Sequence, residues 1–232
     1  MTAARVLQLL EMPVLVAVPL VLGVCACWSI DQAALLSILV VVLAVLVFMG
    51  GWEAEKPSLR QVMPTVVLGA LAAAGRVMFA PIPDFKPVSA ICIIAGVVFG
   101  RKSGFMVGVL AALVSNFFFG QGAWTPWQMY SWGLLGYLAG VLNDHGVFER
   151  FPKLLYVYGL FSPLLYGLFL NGWYIVGYVR PLEPETVLMA FALGLPLDAV
   201  HCVATLFFLL LLYAPCRRKL LRIRRKFDLR YG

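Results

Sequence analysis

Long apolar runs separated by short polar stretches are the dominant pattern of this chain. An α-helix needs about 20 residues to cross the hydrocarbon core of a bilayer, which is about 30 Å thick. The run from 103 to 143 is too long for one helix, and the Gly- and Pro-containing stretch 120–126 divides it in two. The pattern therefore predicts eight transmembrane helices. The apolar runs lie at 12–30, 32–52, 61–83 around Arg76, 87–100, 103–143, 154–179 and 186–216 around Asp198.

One of the predicted helices is too short to cross the bilayer. The run 87–100 contains 14 residues, which corresponds to about 21 Å at a rise of about 1.5 Å per residue. We therefore expect the outer end of this helix to stop below the membrane surface. The loop that precedes it should then dip inward, where protein covers its backbone.

Composition fixes the fold class. Hydrophobic residues make up 62% of the 232 residues and charged residues only 12%, which is too little charge to cover a soluble globule of this size. The chain is predicted to be an all-α integral membrane protein. No Walker-type phosphate loop, G-xxxx-GK-[ST], occurs in the sequence, so ATP hydrolysis by that motif must come from a partner. No cofactor is expected.

The most polar linker inside the chain, Gly50 to Pro57, divides the predicted helices into two groups. Residues 1–56 form an N-terminal transmembrane hairpin with its linker, and no small-residue cleavage site marks the first helix as a signal peptide. Residues 57–216 form a core of six helices. Residues 217–232 form a basic tail.

The distribution of basic residues predicts the orientation. With a cytoplasmic N-terminus, 15 of the 18 Lys and Arg residues fall on the inside, only Lys86 and Arg180 fall outside, and Arg76 lies within the membrane. This bias follows the positive-inside rule, so both termini are predicted to be cytoplasmic. The basic tail is expected to bind the anionic inner leaflet. Nucleic acid is not expected as a partner, because no soluble domain accompanies the tail.

Polar residues within the core gather toward its outer half. An uncompensated arginine in lipid is costly, so Arg76 indicates a polar interior or partner, and we hypothesise that Asp198 is that partner. Asp198 and His201 share one helix face because they are three residues apart. The candidate substrate-binding residues are Arg76, Phe85, Lys86, Asn116, Gln121, Trp124, Trp127, Asn171, Asp198 and His201.

The aromatic loops above these residues suggest a lid over a small-molecule site. Gly120, Gly122 and Pro126 flank Trp124 and Trp127. Simpler interpretations exist for each signal. Arg76 could reach the outer headgroups, Asp198 and His201 could form a local hydrogen-bonded cap, and the tryptophans could be interfacial anchors. Tyr130, Trp132 and Tyr137 are interpreted as packing residues.

Small residues four apart predict close helix contacts, which is how membrane helices associate without a hydrophobic driving force. This spacing occurs in three places: Ala70 and Ala74, Gly104 with Gly108 and Ala112, and Gly136 with Gly140.

Together these segments resemble the S components of energy-coupling-factor (ECF) vitamin transporters, most closely the cobalamin-type branch. The resemblance covers about residues 60–216 and rests on the Ala70/Ala74 face, PIPDFKP, GRKSGFMVGVLAALVSNFFFGQGAWTPWQM and LPLDAVHCVATLFF. The N-terminal hairpin is absent from the six-helix core of that family.

The resemblance implies a substrate-binding subunit in a prokaryotic cell membrane and no enzymatic activity. It implies that the chain captures a vitamin or related micronutrient, with cobalamin favoured. It also implies docking through Ala70 and Ala74 onto a membrane T component driven by two cytoplasmic ATPases. A stand-alone proton-coupled transporter using Asp198 and His201 remains the alternative, and an intramembrane enzyme using the same pair is a further one. One His and one Asp are too few ligands for a typical catalytic zinc site.

Overall fold

A computed structural model describes residues 3–28, 33–54 and 56–226, and these ranges are helical almost throughout. Each of the eight longer helices overlaps a predicted apolar run, although α1 begins well before its run and α9 ends well after its run, and α7 is a single added turn. By length and composition, five of the described helices could cross a membrane: α2, α3, α5, α8 and α9. An all-α membrane fold is thereby confirmed. The helices are α1 (Ala3–Trp28), α2 (Ala33–Ala54), α3 (Leu59–Met78), α4 (Val88–Phe99), α5 (Arg101–Phe119), α6 (Trp124–Asp144), α7 (Val147–Arg150), α8 (Leu154–Tyr178) and α9 (Pro184–Lys226).

Helix α4 lies at the centre of the bundle. All of its residues are buried, and it packs against α3, α5, α6, α8 and α9. A helix that is apolar on every side is typical of such a position. Its 12 residues confirm the predicted short helix. Pro87, just before α4, is buried against α3, where a Cβ added at Gly75 would lie only 2.5 Å from the Pro87 ring.

Helices α5 and α6 approach each other through glycine. A Cβ added at Gly104 would lie 2.5 Å from the carbonyl oxygen of Gly136, and one added at Gly108 would collide with the backbone of Gly133. The predicted close contact of these small faces is confirmed. Ala70 and Ala74 differ, because both lie on an exposed face of α3.

The N-terminal helices pack against α5, α6 and α8. Phe48 stacks on Phe105 with 4.1 Å between ring centroids, and the Tyr130 hydroxyl donates to the Leu15 carbonyl at 3.0 Å. Lys102 Nζ lies 2.9 Å from Glu11 Oε1, and both side chains are almost fully buried. The positive-inside count treats Lys102 as one of the inside charges, and the structure adds that this charge is buried against the N-terminal hairpin. Residues 29–32, predicted to connect the hairpin, lie outside the described residues.

Helix α9 extends well beyond the length of a single span. It contains 43 residues, or about 65 Å at 1.5 Å per residue, and it continues without a break from Arg217 to Lys226. Arg224 Nη1 donates to the carbonyl oxygen of Val98 at 2.9 Å, which fastens this extension to the end of α4. The last six residues of the predicted tail lie outside the described residues.

Candidate functional site

Arg76 lies near the end of α3 and is held by α5 and α6. Its Nη1 donates to Ser115 Oγ at 2.7 Å and to Asn116 Oδ1 at 2.6 Å. The guanidinium carbon lies 4.6 Å from the ring centroid of Phe119 and 4.9 Å from that of Trp132. Arginine binds favourably over aromatic faces, and more strongly where water is excluded. Two hydrogen bonds and two rings thus compensate the charge.

Asn116 connects Arg76 to the start of α6. Its side chain is fully buried, and its Nδ2 donates to Thr125 Oγ1 at 3.0 Å and to Gln128 Oε1 at 2.8 Å. The Thr125 hydroxyl donates in turn to Gln121 Oε1 at 2.9 Å, and Gln121 Nε2 donates to the Leu113 carbonyl. Since buried polar networks specify a structure when their members are satisfied, this network fixes the loop between α5 and α6.

The loop between α3 and α4 carries two opposite charges. Lys86 Nζ donates to the carbonyl oxygens of Phe79, Ala80 and Ile82, so this ammonium group caps the end of α3. Burial lowers the pKa of Lys86 below its usual value, while nearby Asp84 opposes that effect. Burial raises the pKa of Asp84, and the charges of Lys86 and Arg76 partly offset the rise. Asp84 has a positive φ of 49°, an uncommon conformation for a residue other than glycine.

Phe85 belongs to an aromatic cluster between this loop and α9. Its ring centroid lies 6.2 Å from that of Phe79, 5.5 Å from that of Phe207 and 5.3 Å from that of Phe208. The loop is therefore anchored by its aromatic side chain as well as by the Lys86 cap.

Helices α8 and α9 contribute a second polar group. Asn171 Nδ2 donates to Asp198 Oδ2 at 3.2 Å, and a Cβ added at Gly167 would collide with the Asp198 carboxylate. Asp84 lies close enough to both Arg76 and Asp198 to interact with each electrostatically. Residues from α3, α8, α9 and the loop 79–87 therefore converge at one end of the bundle.

The hypothesised ion pair between Arg76 and Asp198 is wrong for the described residues. The hydrogen bonds of the Arg76 guanidinium go to Ser115 and Asn116, and Asp198 accepts from Asn171. Neutral amide and hydroxyl oxygens, together with two aromatic faces, suffice to hold the guanidinium. A carboxylate in direct contact is not required.

His201 faces a different partner from Asp198, although the two residues share α9. Its Nε2 lies 2.7 Å from Ser89 Oγ on α4, and its ring meets Tyr166 edge to face at 5.0 Å. The idea that Asp198 and His201 act directly on the same group therefore lacks a contact to support it. Tyr166 links their surroundings, since it also lies within electrostatic range of Arg76, Asp84 and Asp198.

The two tryptophans of the predicted lid occupy different environments. Trp124 is 42% exposed, and its ring lies over Gly122, where an added Cβ would be 2.5 Å from it. Trp127 is completely buried and stacks on Trp173 with 6.3 Å between centroids. Only Trp124 is placed to cover the loop in this conformation.

Sequence reasoning missed several residues that the structure places beside Arg76. Ser115 and Gln128 are ordinary polar residues in apolar helices, and no sequence pattern marks them as neighbours of Arg76. Trp132 was assigned to packing, yet its ring contacts Arg76. Tyr166 had no signal, because aromatic residues are frequent throughout α8.

A comparison with protein families supplies the decisive observation. Residues 56–214 match the family described as "ECF-type riboflavin transporter, S component". The chain belongs to this family. No curated protein and no solved structure matches the chain.

Membership of the ECF S-component family has direct consequences. S components are transporter subunits rather than enzymes, and they work with a T component and ATPase subunits. This favours the importer interpretation over a stand-alone transporter and over an intramembrane enzyme. The matched segment begins after α2, so it contains the Arg76 network and leaves out the N-terminal helices.

Proposed function

We propose that this S component captures a vitamin from outside a prokaryotic cell and delivers it to an ATP-driven importer. The observation that supports this most is the Arg76 network, which joins α3, α5 and α6 beneath two loops within the matched segment. The basic residues Lys56 and Arg60 lie at the other end of α3. By the positive-inside rule, that end and both termini face the cytoplasm, and the network faces outside.

The chemistry around Arg76 favours a flat ligand with polar edges. Trp132, Tyr166, Phe79 and Phe85 provide aromatic surfaces, on which planar rings stack. Amide, carboxylate and guanidinium groups stand beside them and can fix the orientation of such a ligand. The name of the family makes a riboflavin-type flavin the first candidate. Cobalamin is the second, on the resemblance of the Ala70/Ala74 face and of the segments 81–87, 100–129 and 195–208.

We assign different roles to the candidate residues. Arg76, Asn116, Asn171 and Asp198 hydrogen-bond the ligand directly, after exchange of their present partners. Phe85 and Trp124 cover it from the loops. The remaining four act by holding the site in shape: Lys86 and Gln121 through the loops, and Trp127 and His201 through packing.

The division of the chain follows from these roles. Residues 57–216 bind the vitamin, residues 1–56 support the face of α5, α6 and α8, and residues 217–232 contact the inner leaflet. Ala70 and Ala74 leave the backbone of α3 accessible, which suits close contact with a T component. Two ATPases attached to that component supply the energy.

Binding of purified protein to a vitamin panel that includes riboflavin and cobalamin tests the proposal. Intrinsic tryptophan fluorescence reports binding, and Arg76→Gln serves as the site variant beside Arg180→Gln as a control on a loop. We expect one vitamin to bind the wild type and the control tightly and Arg76→Gln at least about tenfold more weakly, since a hydrogen bond to a charged group contributes about 1.5–3 kcal/mol. Absence of binding to every vitamin, or equal binding by both variants, would contradict it.

A further inference from the structure

We propose that a groove between α3 and the basic extension of α9 binds one anionic phospholipid. The groove has a volume of about 410 Å³, within the range of roughly 300–1,000 Å³ that is usual for small-molecule sites. It is lined by Arg60, Met63, Pro64, Val67, Leu68, Leu71, Leu220 and Ile223.

The walls of the groove suit an acyl chain. Leu68 forms a buried floor, while Met63, Val67 and Leu71 on α3 are 48–55% exposed. Ile223 on α9, 37% exposed, forms part of the opposite wall. Apart from Arg60, every lining side chain is apolar, so the groove offers hydrocarbon contacts along its length and charge only where Arg60 lies.

The charge around the groove selects the headgroup. Seven of the ten residues from Arg217 to Lys226 are basic and none is acidic. Lys219 lies one helical turn before Ile223, in a cleft that it shares with Arg218 and Arg222. Lys and Arg form charge-assisted hydrogen bonds with phosphate oxygens. A phosphodiester placed between Arg60 and Lys219 would meet cations on both helices.

The extension of α9 is part of the folded bundle at this point. Arg224 donates to the Val98 carbonyl, and Leu220 and Leu221 pack against the main hydrophobic cluster. Both walls of the groove are therefore held in place. The orientation proposed above puts this end of the bundle at the inner leaflet, where anionic lipids attract basic segments.

Lipid in the groove bears on docking. Leu71 lines the groove and follows Ala70 in the sequence, so an acyl chain there covers the edge of the face assigned to the T component. Docking of a T component on that face then requires the lipid to leave the groove or to contact both proteins. This consequence rests on the proposed function, whereas the lipid site itself rests on the groove, its charges and the proposed orientation.

Native mass spectrometry of the full-length protein in detergent tests the site. Delipidated protein is mixed with dioleoyl phosphatidylglycerol or dioleoyl phosphatidylcholine, which share their acyl chains and differ in charge. We expect one phosphatidylglycerol to be retained preferentially. Removing both charges in Arg60→Gln/Lys219→Gln should weaken retention by about fivefold per residue. Leu71→Trp, which fills the groove and keeps every charge, should also weaken it.

The matched control is Arg150→Gln/Lys153→Gln, which removes two exposed basic residues from outside the groove. It should retain phosphatidylglycerol as the wild type does. Equal retention of the two lipids by the wild type, unchanged retention by Leu71→Trp, or an equal loss in the control would each overturn the proposal. Vitamin binding measured on the same samples keeps the two proposals separable, because the lipid result does not depend on it.

Discussion

A permanent charge inside a helical bundle needs a specific environment, and Arg76 shows how one is built. Its guanidinium is planar, so it accepts aromatic rings against its faces while its N–H groups point to oxygens at its edge. Ser115 and Asn116 provide the oxygens, and Phe119 and Trp132 the rings. These contacts compensate the charge without a ligand, and our proposal requires a ligand to replace some of them.

The first prediction concerns this planar geometry. Arg76→Lys keeps the charge, removes the planar guanidinium that lies against the rings, and leaves fewer N–H donors. We expect a loss of about 1–3 kcal/mol in stability, from a charged hydrogen bond and weaker contact with the rings. Thermal unfolding in detergent measures it. Arg180→Lys, at an exposed loop position, should change stability little. An equal loss of stability in this control would show that any exchange of Arg for Lys is destabilising, whatever surrounds it.

The second prediction concerns the contact of α5 with α6. Gly136→Ala places a methyl group against the carbonyl of Gly104, and overpacking of this kind costs about 1–3 kcal/mol. Gly23→Ala is the control, because a Cβ there meets nothing within 4 Å and alanine favours a helix by up to about 1 kcal/mol. Midpoints of thermal unfolding should fall for the first variant and stay or rise for the second. Equal behaviour would contradict the close approach.

The sequence predicts the contact between Gly104 and Gly136, but it does not predict the partners of Arg76. Four-residue spacing identified Gly104 and Gly136, because small residues at a helix contact leave a periodic trace. The partners of Arg76 left none. Ser115 and Asn116 lie 39 and 40 residues after Arg76. They meet it only because of how α3 and α5 are positioned along each other. Asp198 was the expected partner because opposite charge is visible in a sequence, whereas an amide oxygen held in place is not.

At the scale of elements, the N-terminal helices are attached to the core by a buried ion pair as well as by apolar packing. The apolar run begins just after Glu11, and Lys102 follows the turn at Gly100, so both residues read as surface charges. Their burial depends on where α1 and α2 place Glu11 relative to the start of α5, which no local sequence pattern records.

The third prediction uses this pair. Lys102→Met leaves Glu11 buried without its cation, which costs about 3–5 kcal/mol. Adding Glu11→Gln should restore much of the loss, because no uncompensated charge remains. Thermal unfolding of the two single variants and the double variant gives the coupling between the residues. Additive losses would mean that the two side chains do not interact, and Glu53→Gln, at an exposed position, checks for a general effect of charge.

The fourth prediction distinguishes the role of Trp124 from that of Trp127. Trp124→Ala should speed release of the bound vitamin while the unfolding midpoint stays near that of the wild type, because its side chain is partly exposed. Trp127→Ala should lower the midpoint, since removing a buried aromatic side chain costs about 3–5 kcal/mol. Stopped-flow fluorescence and thermal unfolding measure the two effects. Unchanged release from a folded Trp124 variant would leave this residue as an interfacial anchor.

On the scale of the whole molecule, the bundle has three surfaces with separate duties. We assign ligand binding to the polar end and partner docking to the exposed face of α3, while the N-terminal helices cover the face of α5, α6 and α8. Composition and apolar runs were sufficient to predict the helices. The arrangement of these helices could not be predicted in the same way. Several runs are apolar throughout, and only the packing shows that α4 is the central helix.

The last prediction concerns that open face. Ala70→Leu combined with Ala74→Leu adds bulk where neighbouring helices would need close backbone contact, and leaves the Arg76 network untouched. We expect vitamin affinity to stay within about twofold of the wild type, whereas copurification with a T component and its ATPases falls at least about tenfold, equivalent to the loss of about 1.4 kcal/mol of binding free energy. Ala192→Leu/Ala199→Leu, two exposed alanines on α9, controls for added bulk in lipid. Normal copurification by the α3 variant would place docking on another face, and a parallel loss of vitamin binding would show that α3 acts through the site and not through a separate contact.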